Sequence, residues 1–109
     1  MTKIYNKLVR DKIPQIIEQD NKSALTEILS VDEYKTELLK KLIEESTEAA
    51  SAADKRELIA ELADVLEVFK AIMVAEDISW KEVNDIAEKK RELRGGFEKR
   101  IFLLKTWEK

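Results

Sequence analysis

The chain has 109 residues, of which 39% are charged, yet its formal net charge is only −3. It contains no cysteine and no histidine, which excludes disulfides, thiolate metal sites, imidazole acid–base catalysis and histidine-ligated zinc or di-iron centres. The near balance of charges gives no basis for general binding to nucleic acids or membrane surfaces. No apolar run is long enough to span a membrane. The first residues lack the apolar stretch of a secretory signal. We therefore expect one cytoplasmic domain over residues 1–109, with chemistry that depends on carboxylates, lysines, arginines and hydroxyls.

The amino-terminal region combines basic residues with a short predicted helix. Lys7 and Arg10 belong to a basic cluster, and a helix is predicted near 12–20 because Pro14 is tolerated in a first turn. Arginine binds phosphate through two parallel hydrogen bonds, so Arg10 is a candidate phosphate ligand. Residues 21–29 are predicted to be irregular or briefly extended.

Three longer helices begin at capping boxes, in which a hydroxyl or carboxylate residue precedes a glutamate by three positions. The three boxes are Ser30 with Glu33, Asp54 with Glu57, and Ser79 with Glu82. They predict helices over about 31–53, 55–76 and 80–93, the last one ended by Gly95 and Gly96. The sequence therefore predicts an all-α fold, a helical bundle.

In the helix predicted over 31–53, an acidic residue interrupts the apolar face. At about 100° per residue, the apolar members of this face are Tyr34, Leu38, Leu42, Ala49 and Ala52. Glu45 lies in the middle of them, and Glu48 lies roughly 60° to one side. A buried and unpaired carboxylate is costly, so such a group is normally protonated, paired or bound to a metal.

The helix predicted over 55–76 carries a second acidic line. Its predicted core stripe consists of Ile59, Leu62, Leu66, Phe69 and Met73. The opposite side consists of Glu57, Glu61, Asp64, Val68, Ala71 and Ala75. Because a face exposed to water should stay polar along its length, we expect another helix of the bundle or a second subunit to cover this side.

An antiparallel hairpin of these two helices brings the acidic residues together. With a turn at residues 54–55, residues whose numbers sum to 109 lie level, which pairs Glu48 with Glu61 and Glu45 with Asp64. The axes of neighbouring helices are about 8–10 Å apart, so four carboxylates converge, and their repulsion is relieved by shared protons or by divalent cations. An all-carboxylate set suits Mg²⁺, with Mn²⁺ as a substitute. We predict a metal site on these four residues; the alternative is that both motifs mark solvated helix faces.

The last predicted helix carries a second set of basic residues. Lys90 and Arg94 are four residues apart and share a face, so both are candidate phosphate ligands. The alternative is that they interact with the dipole at the helix end and need no ligand. The tail, residues 97–109, is ambiguous between a strand and a short helix.

The acidic motifs resemble those of a MazG-like member of the all-α nucleoside triphosphate pyrophosphohydrolases. The run EESTE, from Glu44 to Glu48, matches the Glu-Glu-x-x-Glu motif of that superfamily, and ELAD, from Glu61 to Asp64, matches its Glu-x-x-Asp motif. The stretches YNKLVRDKIPQII and KKRELRGGF resemble a MazG-like subgroup.

The resemblance implies Mg²⁺-dependent hydrolysis of a nucleoside triphosphate between its α and β phosphates, giving a monophosphate and pyrophosphate. Many members are assigned to clearing non-standard nucleotides, and members are typically oligomeric, so we expect a homo-oligomer, a dimer or tetramer. The motif match assigns metal binding and catalysis to Glu45, Glu48, Glu61 and Asp64. Glu44 also matches but points about 100° from Glu45, so it is a candidate for the shell outside the ligands.

With no histidine, cysteine or obvious serine nucleophile, direct attack by water is the simplest mechanism, with a glutamate accepting the proton. Two alternatives stay open. One is an enzyme similar to phosphoribosyl-ATP pyrophosphohydrolase, which would share the metal site. The other is a non-catalytic helical interaction module or antitoxin-like partner, in which the acidic residues are exposed and replaceable.

Overall fold

The computed structural model describes all 109 residues, in four α-helices and no β-strand. The helices are α1 (Ile13–Gln19), α2 (Val31–Ala50), α3 (Lys55–Ala75) and α4 (Trp80–Arg94). The predicted all-α class is therefore confirmed. None of these helices combines the length and the apolar composition that crossing a membrane requires.

The chain forms two compact units, Met1–Asp77 and Ile78–Lys109. The first unit contains α1, α2 and α3, and the second contains α4 and the tail. The tail forms neither a strand nor a helix; it makes one turn, in which the Arg100 N–H donates to the Phe97 carbonyl at 3.0 Å.

The predicted capping residues begin the three long helices. Ser30 accepts the Glu33 N–H at 3.2 Å, and the Glu33 carboxylate accepts the Ser30 N–H at 3.2 Å. At the start of α4, Ser79 and Glu82 form the same reciprocal pair of hydrogen bonds. At the start of α3, Asp54 accepts the Glu57 N–H at 2.8 Å, whereas the Glu57 carboxylate accepts the N–H of Ala53 instead.

Helix α2 ends three residues before its predicted end. Ser51 is the C-cap of α2. Its N–H donates to the carbonyls of Thr47 and Glu48, and its hydroxyl donates to the Thr47 carbonyl at 3.0 Å. A hydroxyl that bonds the preceding turn competes with helix continuation. The hairpin turn therefore spans residues 51–54.

Helices α2 and α3 pack on each other, which confirms the predicted antiparallel hairpin. The face of α2 that packs is the predicted one. Leu38 and Glu45 are buried. The partly buried residues of this face are Tyr34, Leu42, Ala49 and Ala52.

On α3, the predicted core stripe is wrong for the single chain. Val68 is buried, and Glu61 and Asp64 are partly buried, so the acidic side of α3 faces α2. Neither a further helix of the bundle nor a second subunit is needed to cover it. Ile59 and Leu62, from the predicted stripe, are 59% and 52% exposed.

The reason for this difference is that α3 is apolar on two sides while a two-helix hairpin has only one interface. The side that packs continues with the small residues Ala71 and Ala75, both partly buried. Small side chains let helix axes approach closely. The larger aliphatic residues are left on the other side of α3.

Candidate metal centre

Three carboxylates meet across the hairpin. Glu45 of α2 and Glu61 and Asp64 of α3 each place one oxygen within 4.8 Å of the other two. The positions follow from the helical period, since Glu61 and Asp64 are about one turn apart on the side of α3 that packs. Glu45 lies in the middle of the α2 face and is 8% exposed. We call these three residues the acidic group.

Two oxygens of the acidic group are buried without a hydrogen-bond partner. They are Oε2 of Glu45 and Oε2 of Glu61. Buried polar atoms in folded proteins are nearly always hydrogen-bonded, and an ionised oxygen is especially costly to leave bare. The two unpartnered oxygens therefore indicate that these carboxylates are protonated or bind a cation.

The electrostatics of Glu45 favour its neutral form. Burial raises the pKa of Glu45 above its ordinary value, and the negative charges of Glu48 and Asp64 raise it further. Lys41 opposes them, with its Nζ 3.5 Å from Oε1 of Glu45. Lys41 was not among the predicted site residues, although its spacing of four residues from Glu45 on one helix is a signal for such a pair.

Glu48 and Glu44 lie outside the acidic group. Glu48 is exposed, and its charge still acts on the pKa of Glu45. Oε1 of Glu44 lies 3.6 Å from the Nζ atoms of both Lys7 and Lys41. The ligand role of Glu48 and the outer position assigned to Glu44 stay predictions.

The predicted phosphate ligands fall in different units. Arg10, in the first unit, donates from Nη2 to Oδ1 of Asp64 at 2.7 Å and so lies at the edge of the acidic group. Lys90 and Arg94 lie on α4 in the second unit and are exposed. Their assignment to phosphate stays a prediction.

The acidic group has the chemistry of a site for a hard cation. All donors are carboxylate oxygens, the ligands that Mg²⁺ prefers. The donor set and the two bare oxygens therefore fit a divalent ion.

Comparison with known protein families matches residues 10–91 to phosphoribosyl-ATP pyrophosphohydrolase. The chain belongs to this family. The matched residues include the whole hairpin, and they begin at Arg10, the residue that pairs with Asp64. No curated protein and no solved structure gave a significant match.

Membership of the phosphoribosyl-ATP pyrophosphohydrolase family gives the chain a class of activity. The family is one of all-α pyrophosphohydrolases that act on a nucleotide. The coarse resemblance is thereby confirmed, while the MazG-like subgroup is not. The whole tail, residues 97–109, lies outside the match, as does Arg94.

Proposed function

We propose that this protein is a Mg²⁺-dependent pyrophosphohydrolase that cleaves a nucleoside triphosphate between its α and β phosphates. The observation that carries the proposal is the acidic group, with its two buried and unpartnered carboxylate oxygens. Family membership supports the reaction class. The negative charge of a triphosphate would be attracted to a divalent cation bound at this site.

The residues that would hold the ion are Glu45, Glu61 and Asp64, with Glu48 beside them. When bound, the ion supplies charge neutralisation for the phosphates and activation of water. Lys41 lies next to Glu45 and reduces the net negative charge of the site. The candidate cations for the phosphate oxygens are Arg10, Lys90 and Arg94.

Besides the metal ion and water, the hydrolytic step needs a carboxylate of the chain as its base. The oxygen of water bonds to phosphorus as the α–β phosphoanhydride bond breaks, and pyrophosphate leaves. A carboxylate of the site accepts the proton that water loses. Positioning and charge stabilisation supply most of the acceleration, as in phosphoryl transfer generally.

A second candidate substrate is phosphoribosyl-ATP, which the family description names. This substrate carries the same α–β phosphoanhydride within a triphosphate, so the same carboxylates would serve. The two candidates differ in the base that must be recognised.

One assay tests reaction class and substrate together. Standard and modified nucleoside triphosphates and phosphoribosyl-ATP are incubated with the protein in millimolar Mg²⁺, and pyrophosphate and orthophosphate are measured separately. Pyrophosphate release from triphosphates supports the first candidate, and release from phosphoribosyl-ATP alone supports the second. Orthophosphate as the primary product contradicts both, and no product from any substrate favours the interaction module.

Variants of the acidic group test the site. Glu61→Gln and Asp64→Asn should each lower kcat/KM by about two orders of magnitude or more, the scale of a group acting on the transition state. Glu67→Gln is the control, because Glu67 is exposed on α3, forms no ion pair and makes the same change in charge. Equal activities of Glu61→Gln and the control variant would remove Glu61 from the site.

A further inference from the structure

The three residues of the acidic group are compensated in different ways. Glu45 and Glu61 each have a buried oxygen with no partner. Asp64 instead accepts a hydrogen bond from the guanidinium of Arg10, at 2.7 Å. Asp64 therefore already has a cationic partner that the chain itself supplies, as Glu45 has in Lys41.

Arg10 comes from a segment distant in sequence. It precedes α1, 54 residues before Asp64, and no regular secondary structure fixes it there. Its neighbour Lys7 approaches Glu44 in the same way, at 3.6 Å. Two ion pairs thus hold the amino-terminal segment against residues of the two acidic motifs.

The pair between Arg10 and Asp64 is well formed but open to solvent. Its distance is that of a charge-assisted hydrogen bond, while the side chains are 58% and 41% exposed. Ion pairs with this much exposure contribute little to stability. A divalent ion that binds the same carboxylate can therefore displace the guanidinium.

We propose that Arg10 is an internal counter-cation that competes with the divalent ion for Asp64. Two causes make the competition direct. The bond occupies one oxygen of a carboxylate that the ion needs, and a guanidinium beside the site repels a second positive charge. Binding of the ion releases Arg10, and this frees its five N–H donors for an anionic group such as phosphate.

The inference rests on the metal site of the proposed function, and linkage makes it measurable. If the ion displaces Arg10, the Arg10–Asp64 pair weakens metal binding by the same factor by which metal binding weakens the pair. Removing Arg10 should therefore strengthen metal binding even though Arg10 is not a metal ligand. If Arg10 had only a structural role, its removal would not strengthen metal binding.

The first experiment is calorimetric titration of Mn²⁺ and Mg²⁺ into the wild type and Arg10→Gln. We expect Arg10→Gln to bind Mn²⁺ about two- to fivefold more tightly, the range set by an exposed ion pair. Arg56→Gln is the matched control, since Arg56 is exposed on α3 and forms no ion pair. Lys7→Gln, which loses a pair with a residue outside the acidic group, should change the affinity less than Arg10→Gln.

The second experiment follows the Arg10 side chain in the wild type, so it does not depend on how a variant folds. The guanidinium ¹H–¹⁵N resonances are recorded during a titration with Mg²⁺ and assigned with Arg10→Lys. We expect the Arg10 signal to change from that of a paired group to that of a freely rotating one as the site fills.

Each outcome decides a different question. An unchanged Arg10 signal at saturating Mg²⁺, or equal affinities of Arg10→Gln and Arg56→Gln, would overturn the competition and leave the metal site standing. No heat of binding for any of the proteins, wild type included, would overturn the metal site and the competition together.

Discussion

At the scale of single residues, the site depends on how each carboxylate is compensated. Glu45 has Lys41 on one oxygen and nothing on the other. Glu61 has a bare oxygen, and Asp64 has Arg10. Glu45 and Asp64 therefore each have a cation of the chain beside them, whereas Glu61 has none, so the group keeps net negative charge for a metal ion.

The raised pKa of Glu45 predicts how the metal-free protein responds to pH. Below the ordinary pKa of 4.5, the Glu45 carboxyl is protonated in both the folded and the unfolded state, so it does not lower the stability of the folded state. As pH rises through the folded pKa, the group must ionise inside the hairpin, and the folded state loses stability relative to the unfolded state. We therefore expect Glu45→Gln to melt at a higher temperature than the wild type, with a difference that grows from about pH 4.5 towards neutrality.

The measurement is thermal unfolding of both proteins in chelator across this pH range. A difference of a few degrees is expected at neutral pH, since about 1 kcal/mol shifts Tm by roughly 4–8 °C in a domain of this size. Lys41 keeps an acidic partner in the variant, because it also approaches Glu44 at 3.6 Å. A variant that is less stable than the wild type at neutral pH would mean that Glu45 is structural.

At the scale of the helix, each capping box fixes where a long helix starts and hence where its acidic residues lie. Helix α2 begins at Val31 because Ser30 and Glu33 satisfy each other's N–H groups. From that start, the 3.6-residue period places Leu38 and Glu45 on one side. The capping box contributes stability that is independent of the metal site.

Ser30→Ala tests this independence. The loss of the side-chain acceptor for the Glu33 N–H should lower the free energy of unfolding by about 1 kcal/mol, with metal affinity unchanged. Thermal unfolding and calorimetric titration measure the two quantities. Ser23→Ala, in the irregular segment before α2, should leave both unchanged; equal stability of the two variants would show that the box contributes nothing.

Still at the scale of the helix, the two pairs of acidic residues predicted to lie at equal heights across the hairpin differ in the structure. Glu45 and Asp64 do meet in the acidic group, whereas Glu48, the predicted level partner of Glu61, lies outside it. Glu48 is off the packed face and close to the end of α2 at Ala50. The numbering rule assumed a turn at residues 54–55, whereas α2 ends at Ala50 and α3 begins at Lys55, and the rule carries no information on where each side chain points.

At the scale of the whole molecule, the first unit leaves an apolar stripe of α3 uncovered. Ile59, Leu62 and Leu66 are 59%, 52% and 47% exposed. Phe69 and Met73 extend the stripe and are partly buried. An exposed apolar stripe of this kind usually marks an interaction site. We predict that a second copy of the chain covers it; from the sequence we expected a homo-oligomer, but with a further helix or a second subunit on the opposite side of α3.

Light scattering after size exclusion tests this prediction. We expect a mass at least twice the 12.7 kDa of one chain, and we expect Leu62→Glu to reduce it. Val74→Glu is the control, because Val74 is an exposed apolar residue of α3 outside the stripe. A wild type with the mass of a single chain, or equal loss of assembly in both variants, would contradict the prediction.

The sequence by itself determined the helices of this protein and pointed to the acidic residues of the proposed metal site. Helix starts depend on interactions within four residues, and such local rules are visible in Ser30 with Glu33 and Ser79 with Glu82. The acidic residue in the apolar face of α2 was visible for the same reason, since a single helix defines that face. The hairpin followed from the short turn between two long helices.

Tertiary structure alone decided which side of α3 faces α2 and how each carboxylate is compensated. Both sides of α3 are apolar over part of their length, so its period permits two packings, and only the approach of α2 selects between them. The pair of Arg10 with Asp64 joins residues 54 positions apart. Such a contact depends on where an irregular segment crosses the hairpin, and no local pattern in the sequence encodes that path.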